Sequence, residues 1–265
     1  MHQDLSALLV PMTKSKAKPK APKVKLPNGV ILNRLISDID NQTEIVTIAI
    51  FSGITNNNEP NTKTGKMVQL YHLVADQAPL DVIRSGDDSA ICGDCPLSWT
   101  NTEKEFGSCY VNVGRAPSIV WNQFQKGAYP DFKTLPKKQQ RQLKDLMVMY
   151  GVRFGAYGDP ASDLKTLWDI TSFVSNWTGY THTWKSQPAH RSLAPFLMAS
   201  IDTLDDYQQA KSLGYRTFRH DKSGMRLTTE LQCPENTKGI QCADCGLCAG
   251  TFGTKSKKDI VVERL

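Results

Sequence analysis

The chain has 265 residues, of which 40% are hydrophobic and 22% charged, a composition typical of a globular protein with one large domain or two small ones. No stretch approaches the roughly 18 consecutive apolar residues of a transmembrane helix, and the basic residues near the N-terminus follow its short apolar run instead of preceding it, unlike a signal peptide. We therefore predict a cytoplasmic protein with no membrane contact.

The net charge of +6 is concentrated near the N-terminus. Lys14, Lys16, Lys18, Lys20, Lys23 and Lys25 alternate with Ala, Pro and other residues, and without them the basic residues equal the 26 acidic ones. Residues 1–28 are predicted to be a basic, disordered arm, either a solvated tail or a non-specific contact for nucleic acid phosphates. Because the rest of the chain is near neutral, a basic folded surface that grips a nucleic acid is not expected.

Residues 29–90 are predicted to form a small β-rich extension. Short apolar stretches at 30–36 and 45–52 indicate strands, and the alternating segment 67–73 indicates a third, which carries His72. A modest helical pattern follows at residues 78–85.

Residues 91–265 alternate between helical segments and short apolar segments. Helices are predicted at 117–127, 136–150, 161–177 and 203–214, and strands at 152–157, 178–184, 195–202, 215–220, 227–233 and 259–263. About six βα units predict an α/β fold, a partial (β/α)6-type barrel with parallel strands, too short for an eight-fold barrel. Working residues of such folds lie at the carboxyl ends of strands, which here carry Asp159, His182, Asp202, His220 and Cys233.

The seven cysteines fall into two groups, which we name the first thiol set (Cys92, Cys95 and Cys109) and the second thiol set (Cys233, Cys242, Cys245 and Cys248). In a reducing compartment Cys-x2-Cys spacing favours metal over disulfide, and an odd number of cysteines does not complete a disulfide framework. A tight turn, eased by Gly93, can point the Cys92 and Cys95 sulfurs at one metal. Three thiols leave one coordination position open, whereas four fill a tetrahedral metal or a cubane.

The second thiol set fits two kinds of metal. Its last three cysteines form a compact run similar to that of ferredoxin-type clusters, and Cys233 can supply a fourth ligand. Zinc usually uses two well-separated Cys-x2-Cys pairs, so iron–sulfur and zinc both stay open. A third arrangement pairs Cys92 and Cys95 with two of the late thiols in a single zinc site.

The order of a thiol loop, a helix and a strand that ends in a Gly-acid-Pro turn resembles the radical S-adenosylmethionine superfamily. In that superfamily a three-cysteine loop holds a [4Fe-4S] cluster, and the turn holds the amino end of the methionine part of S-adenosylmethionine. The resemblance implies that the first thiol set holds a [4Fe-4S] cluster. It also implies that the cofactor is contacted by Tyr157, Gly158, Asp159 and Pro160.

More closely, most of residues 45–265 resemble a family of Cys-rich phage and prophage proteins of unassigned function. The shared motifs are CGDCP, SCYVN, GAYGDP, TGYTHTW, ASID, GYRTFRH and CADCGLC. This resemblance implies a location in the host cytoplasm. The chain departs from the superfamily in its Cys-x2-Cys-x13-Cys spacing, so residues 96–108 must loop out, and in having Asp159 and Tyr157 where Glu and Gly are usual.

Two functions remain as hypotheses. The first is an iron–sulfur, radical S-adenosylmethionine-like enzyme in which Asp159 holds the cofactor and His182, Asp202 and His220 face the substrate. The alternative is a zinc-stabilised nucleic-acid-binding phage protein without catalysis. For Asp159 a helix N-cap, and for His182 a hydrogen-bonded core histidine, are the competing structural interpretations. The chain has no Walker loop, Gly-x-Ser-x-Gly elbow or His-Glu-x-x-His motif.

Overall fold

The structure is a computed structural model that describes residues 25–39, 44–55, 60–98, 109–186, 192–221, 223 and 225–263. Of the predicted basic arm, residues 1–24 lie outside the described residues, together with every arm lysine except Lys25. Across the described ranges, no helix has the length and apolar character needed to span a bilayer.

The first sheet joins the amino-terminal strands to the middle of the chain. Its order is β1 (Gly29–Ile36), β2 (Val46–Ser52), β3 (Val68–Val74), β4 (Val152–Tyr157) and β5 (Trp177–Thr178). The β1–β2 and β2–β3 pairs are antiparallel, whereas the β3–β4 and β4–β5 pairs are parallel. Six consecutive residues of β2 are buried, which is expected for a strand covered on both faces.

The second sheet is parallel throughout. It consists of β6 (Tyr180–Thr181), β7 (Met198–Ile201), β8 (Thr217–His220), β9 (Glu230–Gln232) and β10 (Asp259–Val262), in the order β6-β7-β8-β10-β9. The single strand predicted at 178–184 is instead divided, because β5 and β6 pair in different sheets. Gly179 separates them where a side chain has no room, since an added Cβ would lie 2.6 Å from Leu197.

Helices pack against both sheets, α1 to α4 against β3 and α6 against β7 and β8. Their bounds are α1 (Pro79–Ser85), α2 (Ser89–Cys92), α3 (Ala116–Gln125), α4 (Lys137–Tyr150), α5 (Leu164–Thr171), α6 (Leu204–Ser212), α7 (Pro234–Lys238) and α8 (Cys242–Cys245). In α4 the apolar residues at helical spacing, Leu143, Leu146 and Met147, are buried as the sequence predicts.

Helix α5 is shorter than the helix predicted at 161–177. A 3-10 turn, Pro160–Asp163, precedes it, and the Asp163 carboxylate caps it by accepting from the Thr166 amide at 2.9 Å. At its other end the Thr171 hydroxyl donates to the Leu167 carbonyl and the Ser172 hydroxyl to the Asp169 carbonyl. Such side-chain bonds compete with the helical pattern, so the helix ends there.

The hydrophobic core continues from one sheet to the other. A single buried group contains Phe51 of β2, Phe154 of β4, Trp177 of β5 and Ala199 of β7. The prediction of an α/β fold with parallel strands is thus confirmed, and the carboxyl ends of β4, β6 and β7 are held close to one another.

Candidate metal centres

The first thiol set begins where α2 ends. Cys92 is the last residue of α2, and the Cys95 amide donates to the Cys92 carbonyl at 3.3 Å in a tight turn. Gly93 lies in this turn with a φ of 60°, and a Cβ there would lie 2.8 Å from both Ile39 and Thr183. Glycine is therefore required at position 93, because the backbone has a positive φ there and a side chain would have no space.

All of the first thiol set lines one cavity, which we name the thiol cavity. Its volume is about 110 Å³, and residues 99–108, between Cys95 and Cys109, lie outside the described part of the chain. Burial raises the pKa of Cys92 well above its usual value, with smaller effects from Cys95 and Asp88. Cys109 is exposed, but the cavity around its sulfur still desolvates the thiol and raises its pKa, an effect that the Val111 amide opposes. A bound cation would therefore have to displace thiol protons.

The three thiols line the same cavity, but they are not arranged as a complete set of metal ligands. Among the described residues, no three or more His, Cys, Asp or Glu side chains converge as ligands for one ion. The Tyr157 hydroxyl, which lines the thiol cavity, is buried and has no hydrogen-bond partner in the described part of the chain. Burial raises its pKa well above the usual value, and nearby Cys92 adds to this. A polar group in the cavity would satisfy this hydroxyl.

The predicted cofactor turn packs directly behind α2. The Asp159 amide donates to the Ile91 carbonyl at 2.6 Å, one residue before Cys92. Gly158 has a φ of 76°, and a Cβ at this position would lie 2.8 Å from the His72 Cβ and 3.0 Å from the His72 carbonyl oxygen. The turn is therefore joined directly to the end of α2 that carries Cys92.

The Asp159 carboxylate is buried, and both of its oxygens are engaged. Oδ1 accepts from the Ala161 amide at 2.9 Å, whereas Oδ2 accepts from the Thr181 hydroxyl at 3.0 Å and the His182 amide at 2.8 Å. Burial raises its pKa, an effect that these hydrogen bonds oppose. Asp159 thus caps the following 3-10 turn, as one interpretation of the sequence expected, and also ties β4 to β6 while lining the thiol cavity.

The predicted catalytic residues lie around the same cavity. His182 Nδ1 is 3.4 Å from Cys95 Sγ, and Nε2 is 3.7 Å from Asp202 Oδ2, an ionic contact too long for a hydrogen bond. Burial lowers the pKa of His182, but Asp202 and Cys95 together outweigh burial and raise it to about 10. The His220 ring centroid lies 6.4 Å from that of Tyr110, which follows Cys109 and lines the cavity.

The second thiol set gathers around α7 and α8. Cys233 precedes α7, Cys242 and Cys245 are the ends of α8, and Cys248 is buried. Burial raises the pKa of Cys242 to about 11, which Arg153 partly opposes, and the pKa of Cys248 to about 12. The Cys233 thiol adds to both shifts, so the predicted fourth thiol does lie near the others. This grouping does not favour a site shared between the two sets.

Arg216 holds the second thiol set in place, a role that the sequence analysis missed. Its buried guanidinium donates to the carbonyls of Leu247 at 2.8 Å and Ala249 at 2.7 Å, on either side of Cys248. It also donates twice to the Lys258 carbonyl. The available signal was a cation placed between Tyr215 and Phe218 in a predicted strand, because a guanidinium that becomes buried requires several acceptors.

Tyr180 connects the two thiol sets and was also missed. It lines the thiol cavity, and its hydroxyl lies beside the Cys248 thiol, where it partly opposes the rise that burial causes in the pKa of Cys248. Its ring packs against Phe218 with centroids 4.0 Å apart. The backbone reinforces this link, because the Gly179 amide donates to the Cys248 carbonyl at 3.0 Å.

The donor chemistry fits the groups that the superfamily resemblance implies. Grouped thiols suit iron–sulfur clusters and zinc, and the unpartnered Tyr157 hydroxyl faces the first set. A cavity of about 110 Å³ suits an ion or a small cluster, whereas a nucleoside-sized ligand would extend out of it. The function must be argued from these residues, since no family model, curated protein or solved structure matches the chain.

Proposed function

We propose that the chain is an iron–sulfur enzyme of the radical S-adenosylmethionine type. The observation that carries the proposal is that Cys92, Cys95 and Cys109, which are separated in sequence, line one cavity with the Gly158-Asp159 turn and the unpartnered Tyr157 hydroxyl. Three thiols leave one position on a [4Fe-4S] cluster for a further ligand, and a turn beside that position suits a bound cofactor.

The proposed fold is a partial barrel. Its support is the run of parallel pairs from β3 through β4 and β5, and from β6 through β7, β8 and β10 to β9. Gly179 would be the bend that carries one strand from the first sheet to the second. In this arrangement the thiol cavity lies at the carboxyl ends of the strands, where parallel folds carry their sites.

The residues around the cavity then have separate roles. The first thiol set would hold the cluster as thiolates. When bound, such a cluster supplies an open iron for S-adenosylmethionine and the electron that breaks its carbon–sulfur bond. Gly158 and Pro160 would shape the backbone edge that contacts this cofactor, and Asp159 would hold that edge against β6. His182 would orient Cys95 and Asp202, while Asp202 and His220 would face the substrate.

The second thiol set would hold another metal group. Four thiols, a nearby cation in Arg153 and a buried position beside Tyr180 suit a [4Fe-4S] cluster, because the positive charge offsets that of the thiolates. Its role would be to relay electrons or to anchor substrate. Zinc is the alternative occupant, since four thiolates also fill its tetrahedral shell.

The test is the metal content of protein purified without oxygen. We expect a brown protein with iron and sulfide, and cleavage of S-adenosylmethionine to methionine and 5′-deoxyadenosine under reducing conditions. Cys95→Ser should remove the iron of the first set and abolish cleavage. Cys245→Ser should remove only the metal of the second set, so that the two variants act as controls for each other.

Two results would contradict the proposal. A colourless protein with zinc alone would rule out the enzyme and support the zinc-stabilised nucleic-acid-binding protein. Unchanged cleavage in Cys95→Ser would refute the role given to Cys95 in the first thiol set.

A further inference from the structure

A second cavity, of about 420 Å³, lies between β1, β2, α4 and α5 and shares no lining residue with the thiol cavity. Phe51 and Met147 are buried in its floor, and the half-buried Phe132 and Phe173 form its walls. Its rim carries Lys133, Lys144 and Lys165. We name it the basic groove. Its volume falls within the range of about 300–1,000 Å³ typical of small-molecule sites, which includes a nucleotide.

The rim belongs to a larger group of exposed cations. Lys133, Lys137, Lys138, Arg141 and Lys144 lie on α4 or on the turn before it, and all are exposed. Among the described residues none of these five makes an ion pair within 4.0 Å, whereas Lys165 is paired with Asp169. The near-neutral body expected from the sequence thus carries a local excess of positive charge, because these five cations outnumber the acidic residues beside them, Asp131, Asp145 and the groove-lining Asp169.

The basic arm joins the folded chain at this same surface. The Gln139 side chain of α4 donates to the Lys25 carbonyl at 3.2 Å, and Leu26 is buried beside it. Lys23, Lys20 and Lys18 precede Lys25 by only a few residues. Lys25 therefore lies beside the amino end of α4, next in the sequence to the lysines of the basic arm.

We propose that the basic groove and α4 bind single-stranded nucleic acid, with an unstacked base between Phe132 and Phe173. An aromatic wall beside lysines is the usual arrangement for this ligand, because bases stack on aromatic rings while cations follow the phosphates. The Lys144 ammonium lies 5.3 Å from the centre of the Phe173 ring, so a positive charge lies directly beside an aromatic ring of the groove. A duplex keeps its bases stacked and cannot fill the groove in this way.

An acidic protein segment is the competing ligand for a positive surface. It would use the lysines equally well, but it would not need the deep groove between Phe132 and Phe173. The aromatic side chains therefore separate the two, and the experiment is built around them. The proposal is independent of the metal chemistry, since it uses no residue of the thiol cavity.

The experiment measures binding of a fluorescent 12-nucleotide single strand, as DNA and as RNA, to the full chain by anisotropy. Lys133→Gln combined with Lys144→Gln should weaken binding roughly tenfold. The slope of the logarithm of the binding constant against the logarithm of the salt concentration should become shallower by roughly 0.7 for each lysine. The matched control, Lys255→Gln with Lys257→Gln, makes the same charge change at exposed positions elsewhere and should leave binding within about twofold.

Phe173→Leu tests whether a nucleic acid base binds in the basic groove. It keeps an apolar side chain against the core, and should weaken single-strand binding roughly fivefold or more while leaving duplex binding unchanged. Phe252→Leu, at a ring that is 74% exposed, is its control and should have no effect. Comparison of DNA with RNA shows which of the two is preferred.

Three results would overturn the proposal. Equal losses in the two lysine pairs would show a diffuse charge effect, and unchanged single-strand binding in Phe173→Leu would show that no base enters the groove. Competition by polyglutamate as strong as that by the unlabelled oligonucleotide would assign the surface to an acidic protein. Native circular dichroism of each variant excludes unfolding as the cause of a loss.

Discussion

The imidazole Nδ1 of His182 lies 3.4 Å from the sulfur of Cys95. Asp202, on the other side of the ring, holds the imidazole in this orientation through its ionic contact with Nε2. The histidine predicted as a catalytic candidate is thus a direct neighbour of a predicted metal ligand. Such neighbours orient the ligand and tune the metal, so they can be tested by spectroscopy as well as by activity.

If the first thiol set holds the proposed iron–sulfur cluster, we expect His182→Ala to retain its iron but to lower its reduction potential. The reason is that a donor to a ligand sulfur stabilises the more negative, reduced form of a cluster. The shift should be about 60 mV for each 1.4 kcal/mol of lost interaction. Redox titration followed by electron paramagnetic resonance measures it, and an equal shift at the second set would contradict a local effect.

Tyr180→Phe should give the matching result at the second thiol set. The change removes the hydroxyl that lies beside the Cys248 thiol but keeps the ring packed on Phe218. We expect a lower reduction potential at the second site, by roughly 60 mV, with little loss of stability. If the second set holds zinc, that site has no reduction potential to measure. The titration would then show only the redox signal of the first site.

Gly158→Ala should destabilise the protein much more than a comparable glycine change. Gly158 and Gly214 both have φ near 80°, but a Cβ at Gly158 meets His72 at 2.8 Å, whereas one at Gly214 meets no atom within 4 Å. We expect Gly214→Ala to lower the free energy of unfolding by about 1 kcal/mol and Gly158→Ala by about 3 kcal/mol or more. Urea unfolding measures both, and equal losses would show that the clash is relieved.

Arg216→Met should release the second thiol set. The variant keeps an unbranched apolar side chain about as long as the aliphatic part of Arg216, but leaves the carbonyls of Leu247, Ala249 and Lys258 without this donor, at a cost of about 1–3 kcal/mol for a buried group. Metal content of the second set should fall while that of the first set is retained. Arg141→Met, on the exposed face of α4, is the control and should change stability by less than about 0.5 kcal/mol.

Acid should weaken the contact that Asp206 makes at the start of α6. Burial alone would raise the pKa of Asp206, but the Asp202 amide, the Lys185 ammonium and the Thr203 amide together hold it below its usual value. Since the folded-state pKa is the lower one, this stabilisation is fully present above the unfolded value near 4 and is lost as the pH falls through the folded value.

The measurement is urea unfolding of Asp206→Asn and of the unaltered protein at several pH values. The variant should be less stable by about 1 kcal/mol at pH 7, and the difference should shrink in strong acid. Asp205→Asn, on the exposed side of the same turn, serves as the control for a general charge effect. A difference for Asp206→Asn that is constant from pH 7 to pH 3 would contradict the assignment.

Local patterns in the sequence were enough to predict most of the strands and helices. The buried residues Leu143, Leu146 and Met147 repeat at helical spacing, and the helix that they predict ends before Gly151, as its left-handed φ requires. The division of one strand at Gly179 could not be predicted, because it depends on the space that Leu197 and Phe154 leave around that residue.

The sequence by itself determined the local groups Cys92–Cys95 and Cys242–Cys245–Cys248, because Cys-x2-Cys spacing acts within a single turn of chain. It also indicated the carboxyl ends of strands as the place for Asp159, His182 and Asp202. Only the tertiary structure decided that Cys109 joins Cys92 across the segment outside the described residues, and that Tyr180 reaches the second set.

The distribution of surface charge also depends partly on the sequence and partly on the tertiary structure. Counting residues established a near-neutral body, but a count does not locate charges. The segment 133–144 carries five cations in sequence, and only the packing of the chain places Lys165 at the same groove and Lys25 beside α4. The physical reason is common to both cases. Spacing along the chain governs contacts within a turn, whereas contacts between distant residues depend on how the sheets and helices pack.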